Sequence, residues 1–315
     1  MHSSLFGQSL LTLLDLSPEE ILSLLDTADR VKRERRAGEV HRRFEGKTMA
    51  LIFEKRSTRT RCAFETAFAE EGGYPVFLSG QDIHLGVKET VEDTARVLGR
   101  MFDAIQFRGF AQRTVELLAE YSGVPVYNGL TDDYHPTQAL ADLQTFREAH
   151  GGFRGRRMAY VGDGRNNVAT SLMIASAKVG LDIIIAAPEA LAPRNETLAA
   201  CQSLAEASGG AVEVAVDPKS AVKDADAIYT DVWVSMGEEE KSADRMALLA
   251  PYRVDAELMA ATGKASTIFL HCLPAVRGNE VTDEVMDGSA SRVFDQAENR
   301  KHTIKAVMLA SLVQS

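Results

Sequence analysis

Residues 53–65 read FEKRSTRTRCAFE. Before them, Thr48-Met49-Ala50-Leu51-Ile52-Phe53 is a short apolar run with the length of a buried parallel strand. After the basic turn, Cys62, Ala63, Phe64, Ala67 and Phe68 recur at helical spacing. The strand therefore feeds a helix through Ser57-Thr58-Arg59-Thr60. A helix start offers N–H groups and a positive dipole end, which suit an anion. Here hydroxyls and four cations, Lys55, Arg56, Arg59 and Arg61, crowd that end. Hydroxyls beside planar guanidinium donors suit a phosphate. Taken singly, each residue reads as an N-cap or a solvated charge. Taken together on a strand-to-helix turn, they point to a phosphate site.

The chain has 315 residues, room for two domains of ordinary size. It is 45% hydrophobic and 25% charged, the balance of a soluble globular protein. A formal net charge of -10 argues against nucleic acid as a general partner. An anionic substrate then needs a local basic pocket, which residues 55–61 supply. Cys62, Cys201 and Cys272 are scattered, with no CxxC pair, so neither a disulfide framework nor a zinc site is expected. Leu10 to Leu14 is too short to span a membrane and has no basic flank. These features predict a cytoplasmic protein without metal or cofactor.

Ser17-Pro18-Glu19-Glu20 is a capping box opening a helix that Gly38 closes. Strands are predicted over 74–78, 103–107 and 124–127, with helices from Thr90, over 112–121 and from the loop 132–138 to His150. Gly151 to Gly155 is the best linker candidate. Beyond it the grammar restarts, with strands at 157–161, 182–187, 211–216, 227–230 and 266–270. Helices follow at 166–179 and up to Leu204, and a last one runs from about Asn299 to Val313. Strands alternating with helices predict parallel, doubly wound α/β sheets. Polar clusters fall at the C-terminal ends of six strands, where such sheets bind ligands. These are Ser57–Thr60, Arg108, His135–Gln138, Gly162–Asn167, Asp231–Gly237 and His271–Pro274.

The ordered set STRTR, HPTQ, DGRNN, DVWVSMG, HCLP and FDQAENR resembles the aspartate/ornithine carbamoyltransferase family, and within it the ornithine branch. The resemblance covers essentially the whole chain. It implies two domains, each a doubly wound, mostly parallel sheet flanked by helices, with the active site in the cleft between them. Residues 1–150 resemble the carbamoyl-phosphate domain, with the helix 299–315 packing back on it. Residues 151–298 resemble the ornithine domain. The implied reaction carries a carbamoyl group from carbamoyl phosphate to the δ-amine of L-ornithine, giving citrulline and phosphate.

By the same resemblance, Ser57, Thr58, Arg59 and Thr60 hold the phosphate. Arg108 is a second cation on phosphate and carbonyl, and His135 and Gln138 contact the carbamoyl group. Thr60, Arg108 and His135 suit an oxyanion clamp. Asn167, Asp231, Ser235 and Met236 match the amino-acid contacts, and Asp231 is an acceptor suited to an ammonium. Cys272 and Leu273 face the carbamoyl group, and Arg300 is a further carbamoyl-phosphate contact just before the final helix. Leu273-Pro274 resembles a bond that is cis in the family. An alkyl amine has a pKa of about 10.4 and must lose a proton before attack, so Asp231 with Cys272 is the implied orienting and deprotonating pair. The family forms trimers, which makes His84 a phosphate contact in a neighbouring subunit; an exposed loop histidine is the alternative. Closure of the two domains on the substrates is also expected.

The loop after HCLP is short and has Val276 where relatives often carry His, which leans towards the biosynthetic, arginine-forming branch. A dinucleotide site at Gly162–Asn167 is disfavoured, because Asn167 stands where the fingerprint needs its third glycine. The closest alternative is a carbamoyltransferase acting on putrescine or an N-acylated ornithine.

Overall fold

A computed structural model of the chain describes residues 5–80, 83, 85, 86, 88–234 and 242–314. It divides into two compact units, residues 1–141 with 298–315, and residues 142–297.

The first unit carries a four-stranded parallel sheet of β1 (Thr48–Phe53), β2 (Tyr74–Ser79), β3 (Ala104–Arg108) and β4 (Val126–Leu130), in the order β2-β1-β3-β4. Its helices are α1 (Pro18–Arg36), α2 (Thr58–Ala69), α3 (Val91–Leu98), α4 (Gln112–Ser122) and the first turns of α5 (Pro136–His150). The capping box at Ser17 and Glu20 is formed on both sides. Ala50, Ile52, Ile105 and Phe107 pack against α3 and α4, and the opposite face carries Phe64 and Tyr127. Burial on both faces is why β1 is a continuous apolar run rather than an alternating one.

One strand of this unit departs from expectation. β4 starts two residues later than predicted and runs to Leu130, through the polar Asn128 and a register shift opposite Phe107 and Arg108. Its outer edge is covered by the N-terminal segment, where Leu10 N–H donates to Val126 O at 2.9 Å and Asn128 N–H to Leu10 O at 2.8 Å. Backbone pairing thus overrides the weak strand propensity of Asn and Gly.

The second unit holds β5 (Arg157–Val161), β6 (Asp182–Ala186), β7 (Val212–Ala215), β8 (Ala227–Thr230) and β9 (Ile268–His271), all parallel, in the order β7-β6-β5-β8-β9. Its helices are α6 (Asn167–Val179), α7 (Asn195–Ser208), α8 (Pro218–Ala221), α9 (Ser242–Leu249), α10 (Ala256–Ala260) and α11 (Asp283–Met286). The final helix, α12 (Val293–Leu312), starts six residues before the predicted Asn299, since no Gly or Pro interrupts 293–312. Arg300 therefore lies eight residues into that helix rather than at its start. Among the described residues, no helix is long and apolar enough to cross a membrane.

Strand order sets where ligands can go. In the first sheet the connection reverses between β1 and β3, and in the second between β5 and β8. At such a reversal, loops leave in opposite directions and open a crevice at the strands' C-terminal ends. The loops at these points carry Ser57–Thr60 with Arg108, and Gly162–Asn167 with Asp231.

Candidate active site

In the first unit, Ser57 caps α2, its Oγ accepting the Thr60 N–H at 3.1 Å. Thr60 is fully buried, and its Oγ1 accepts from Arg108 Nη1 at 3.1 Å and from Arg300 Nη2 at 2.9 Å. Two guanidinium groups from β3 and α12 therefore converge on one hydroxyl at the start of α2. The β1–β3 register, with Phe53 opposite Arg108, delivers Arg108 to this place. His135 and Gln138, at the start of α5, are buried. Burial, and then the charges of Arg300, Arg108 and Arg59, hold the His135 imidazole well below its ordinary pKa. At neutral pH it is an uncharged ring, able to donate one hydrogen bond without adding a cation.

Two of the four cations read from the sequence are engaged elsewhere. Lys55 pairs with Asp132 at 2.5 Å and lies 4.3 Å over the Phe110 ring. Arg61 pairs with Glu65 at 2.9 Å and lies 3.7 Å over the Phe77 ring. Glu54, unremarked in the sequence, holds the turn after Arg108: its N–H donates to Arg108 O at 2.8 Å, and its Oε2 accepts from Phe110 N–H at 3.1 Å.

In the second unit, Asp231 follows β8 and Cys272 follows β9, brought side by side by the pairing of Thr230 with His271. The Cys272 thiol donates to Asp231 Oδ1 at 2.9 Å, and Val232 N–H donates to the same oxygen at 2.8 Å. Burial raises the Asp231 carboxyl above its ordinary pKa, against the lowering effect of His271 and of the hydrogen bonds from Cys272 and Val232. His271 is itself fixed. Leu273 N–H donates to its Nδ1 at 2.8 Å, and its Nε2 lies 3.2 Å from Glu280 Oε1. That bond steadies Leu273, whose φ of 60° is unusual for a branched residue. The Leu273–Pro274 bond is cis.

Asn166, the residue before Asn167, touches Asp231. Asn167 is the first residue of α6, whereas Asn166 caps the helix and its Nδ2 lies 3.3 Å from Asp231 Oδ2. A rule that places Asn immediately before an apolar helix could have singled Asn166 out. Ser235, Met236 and His84 lie outside the described residues. Ligand-type atoms of Asp231, His271 and Cys272 lie within 4.8 Å of one another. Both nitrogens of His271 are already committed, so the group reads as a hydrogen-bonded network rather than a ligand set. Gly164 is required by packing, since a Cβ there would meet Ile185 Cγ2 and Pro193 Cδ at 2.9 Å.

Two arginines converging on a buried hydroxyl at a helix start, an uncharged histidine beside them, and a thiol–carboxylate pair in the other unit are groups that suit a group-transfer enzyme, and comparison with known families places the chain in the carbamoyltransferase class. Family models agree. The aspartate/ornithine carbamoyltransferase carbamoyl-P binding domain matches residues 8–148, and the Asp/Orn binding domain matches residues 154–311. The ornithine carbamoyltransferase of Caldanaerobacter subterraneus subsp. tengcongensis is 62% identical over 313 residues, 99% of this chain and 100% of that protein. A catabolic ornithine carbamoyltransferase of Bacillus licheniformis is 52% identical, over 98% of this chain and 97% of its own length. The solved ornithine carbamoyltransferase of Pyrococcus furiosus superposes with a TM-score of 0.95 at 49% identity, covering 98% of each chain. The chain belongs to the aspartate/ornithine carbamoyltransferase family.

Proposed function

We propose that the protein is an ornithine carbamoyltransferase, converting carbamoyl phosphate and L-ornithine to L-citrulline and phosphate. The observation that carries this reading is the Asp231 carboxylate, paired with Cys272 at 2.9 Å beside the β5/β8 reversal. In this family the acceptor amino acid is aspartate or ornithine. A second carboxylate on the substrate would call for a cation here, whereas an ammonium calls for an acceptor.

In this reading Ser57, Thr58, Arg59 and Arg300 hold the phosphate, and His84 of a neighbouring copy reaches it. Thr60, Arg108, His135 and Gln138 hold the carbamoyl group, where Arg108 and neutral His135 face the oxygen that gains charge as the carbonyl is attacked. Asn167, Asp231, Ser235 and Met236 hold ornithine. Asp231 and Cys272 orient the δ-amine, which attacks in its neutral form, with Leu273 beside the carbamoyl group. The new C–N bond forms as the C–O bond to phosphate breaks, and the amine gives up its proton. We further read the protein as a cytoplasmic homotrimer that works in the biosynthetic direction. The family resemblance supports the trimer, the composition and scattered cysteines support the compartment, and the short loop after HCLP supports the direction.

Citrulline formation with ornithine, putrescine, N-acetylornithine and aspartate as acceptors tests the reading. Strong preference for ornithine is expected; turnover confined to another amine would overturn it. Light scattering reads the assembly, and the ratio of citrulline synthesis to phosphorolysis at cellular phosphate reads the direction.

A further inference from the structure

We propose that Asn166 is a positioning residue, whose amide caps α6 with its oxygen and aligns the Asp231 carboxylate with its nitrogen. The proposal rests on the reading that Asp231 receives the substrate's ammonium.

The helix cap settles which way the amide points. Asn166 Oδ1 accepts the Ala169 N–H at 2.7 Å, and only the oxygen of an amide can accept. The NH2 end is thereby turned away from the helix, where its two hydrogens meet two acceptors. One is the Tyr160 hydroxyl at 2.7 Å, the other Asp231 Oδ2 at 3.3 Å. Tyr160 is fully buried in β5, its ring stacked on Tyr229 at 5.8 Å between centroids, so its oxygen is a fixed anchor. Asn166 therefore bridges from β5 to the loop after β8, across the strand-order reversal.

On the other side, Asp231 Oδ1 is held by Val232 N–H and by the Cys272 thiol. Turning the carboxylate would break all three contacts, so Oδ2 is presented in one direction. A neutral amide suits this task. It favours the ionised carboxylate without neutralising it, whereas a cation at 166 would compete with the substrate's ammonium. The titratable groups facing Asp231 are Cys272, His271 with Glu280 behind it, and Tyr160 and Tyr229; Asp163, whose charge acts on Tyr160, is paired with Arg245 at 2.7 Å.

The test compares Asn166→Ser, Asn166→Asp and Asp231→Asn. Ser and Asp both keep an oxygen that can cap α6. Ser is too short to reach Asp231, and Asp sets a like charge against it. With the cap retained, melting temperatures should stay within about 2 °C of the parent. The KM for carbamoyl phosphate should stay within about twofold, while kcat/KM for ornithine falls about 10-fold in Asn166→Ser and about 100-fold in Asn166→Asp. The acid limb of kcat/KM against pH should move up by about one unit in Asn166→Asp. A cap and nothing more would leave both variants near the parent with the limb unmoved, which overturns the proposal. Equal losses for both substrates would overturn it too, as general disruption. If Asp231→Asn keeps parental kcat/KM for ornithine, the ammonium reading fails and this proposal with it. If Asp231→Asn collapses while the Asn166 variants behave as the parent, this proposal alone fails.

Discussion

His135 is a histidine that its surroundings deny a charge. Burial and the charges of Arg300, Arg108 and Arg59 all disfavour the imidazolium. A neutral donor is what a developing oxyanion needs where two guanidinium groups already supply positive charge. His135→Gln should then keep kcat within about 10-fold of the parent, while His135→Ala loses about 10²–10³. Because the folded pKa lies well below the ordinary value, no limb of the kcat profile near pH 6.5 should belong to His135. A limb there that vanishes in His135→Gln would contradict the assignment. Cys272 is the complementary case. Its thiol donates to Asp231, so Cys272→Ser, which keeps a donor, should retain more activity than Cys272→Ala, with the latter down about 10²-fold. Unchanged turnover and pH dependence in Cys272→Ala would remove the thiol from the mechanism.

The turn after β3 shows how an element aims a side chain. Arg108 is the last residue of its strand, and Glu54 clamps the following turn through Arg108 O and Phe110 N–H. Gly109 lies so close beneath that a Cβ would collide with the Glu54 carboxylate and the Phe107 ring. Gly109→Ala should displace the turn and raise the KM for carbamoyl phosphate at least about 10-fold, since a misplacement of about 1 Å in a positioned group costs up to 10²-fold. An unchanged KM would show that Arg108 is held by its strand alone. Elements of this kind were legible where local chemistry marks them. The capping box at Ser17 and the turn from Phe53 into α2 each carry their own start signal. The course of β4 through Asn128 and Gly129 was not legible, because the Leu10 segment stabilises it from more than a hundred residues away. Nor was the meeting of Arg300 with Thr60, 240 residues apart in sequence. Asn166 and Asn167 are chemically identical neighbours, and only the backbone conformation at the start of α6 decides which one caps.

Across the second unit, two buried aspartates at opposite ends of the same strand show how the molecule divides its charges. Asp226 precedes β8, on the side away from the candidate site. Its carboxylate accepts Arg157 N–H at 2.9 Å and pairs with Arg156 at 3.2 Å and Lys264 at 3.1 Å. Although burial opposes it, these partners hold the Asp226 carboxyl below its ordinary pKa, whereas burial holds Asp231, just after the strand, above it. Asp226 thus contributes to stability as an ion, and Asp231 is an acid kept at a cost in the candidate site. The sign of the pH dependence follows. A carboxyl whose folded pKa is depressed contributes stability that is full above its unfolded value, about 3.9, and lost as pH falls through the folded pKa. Asp226→Asn should therefore lower unfolding free energy by about 2–3 kcal/mol at pH 7 in urea titrations, with kcat little changed. The gap between parent and variant should hold at pH 5 and shrink towards pH 3, as the parent's carboxylate takes up a proton. A gap that persists undiminished down to pH 3 would mean that Asp226 acts through shape and its hydrogen bond to Arg157, not through its charge.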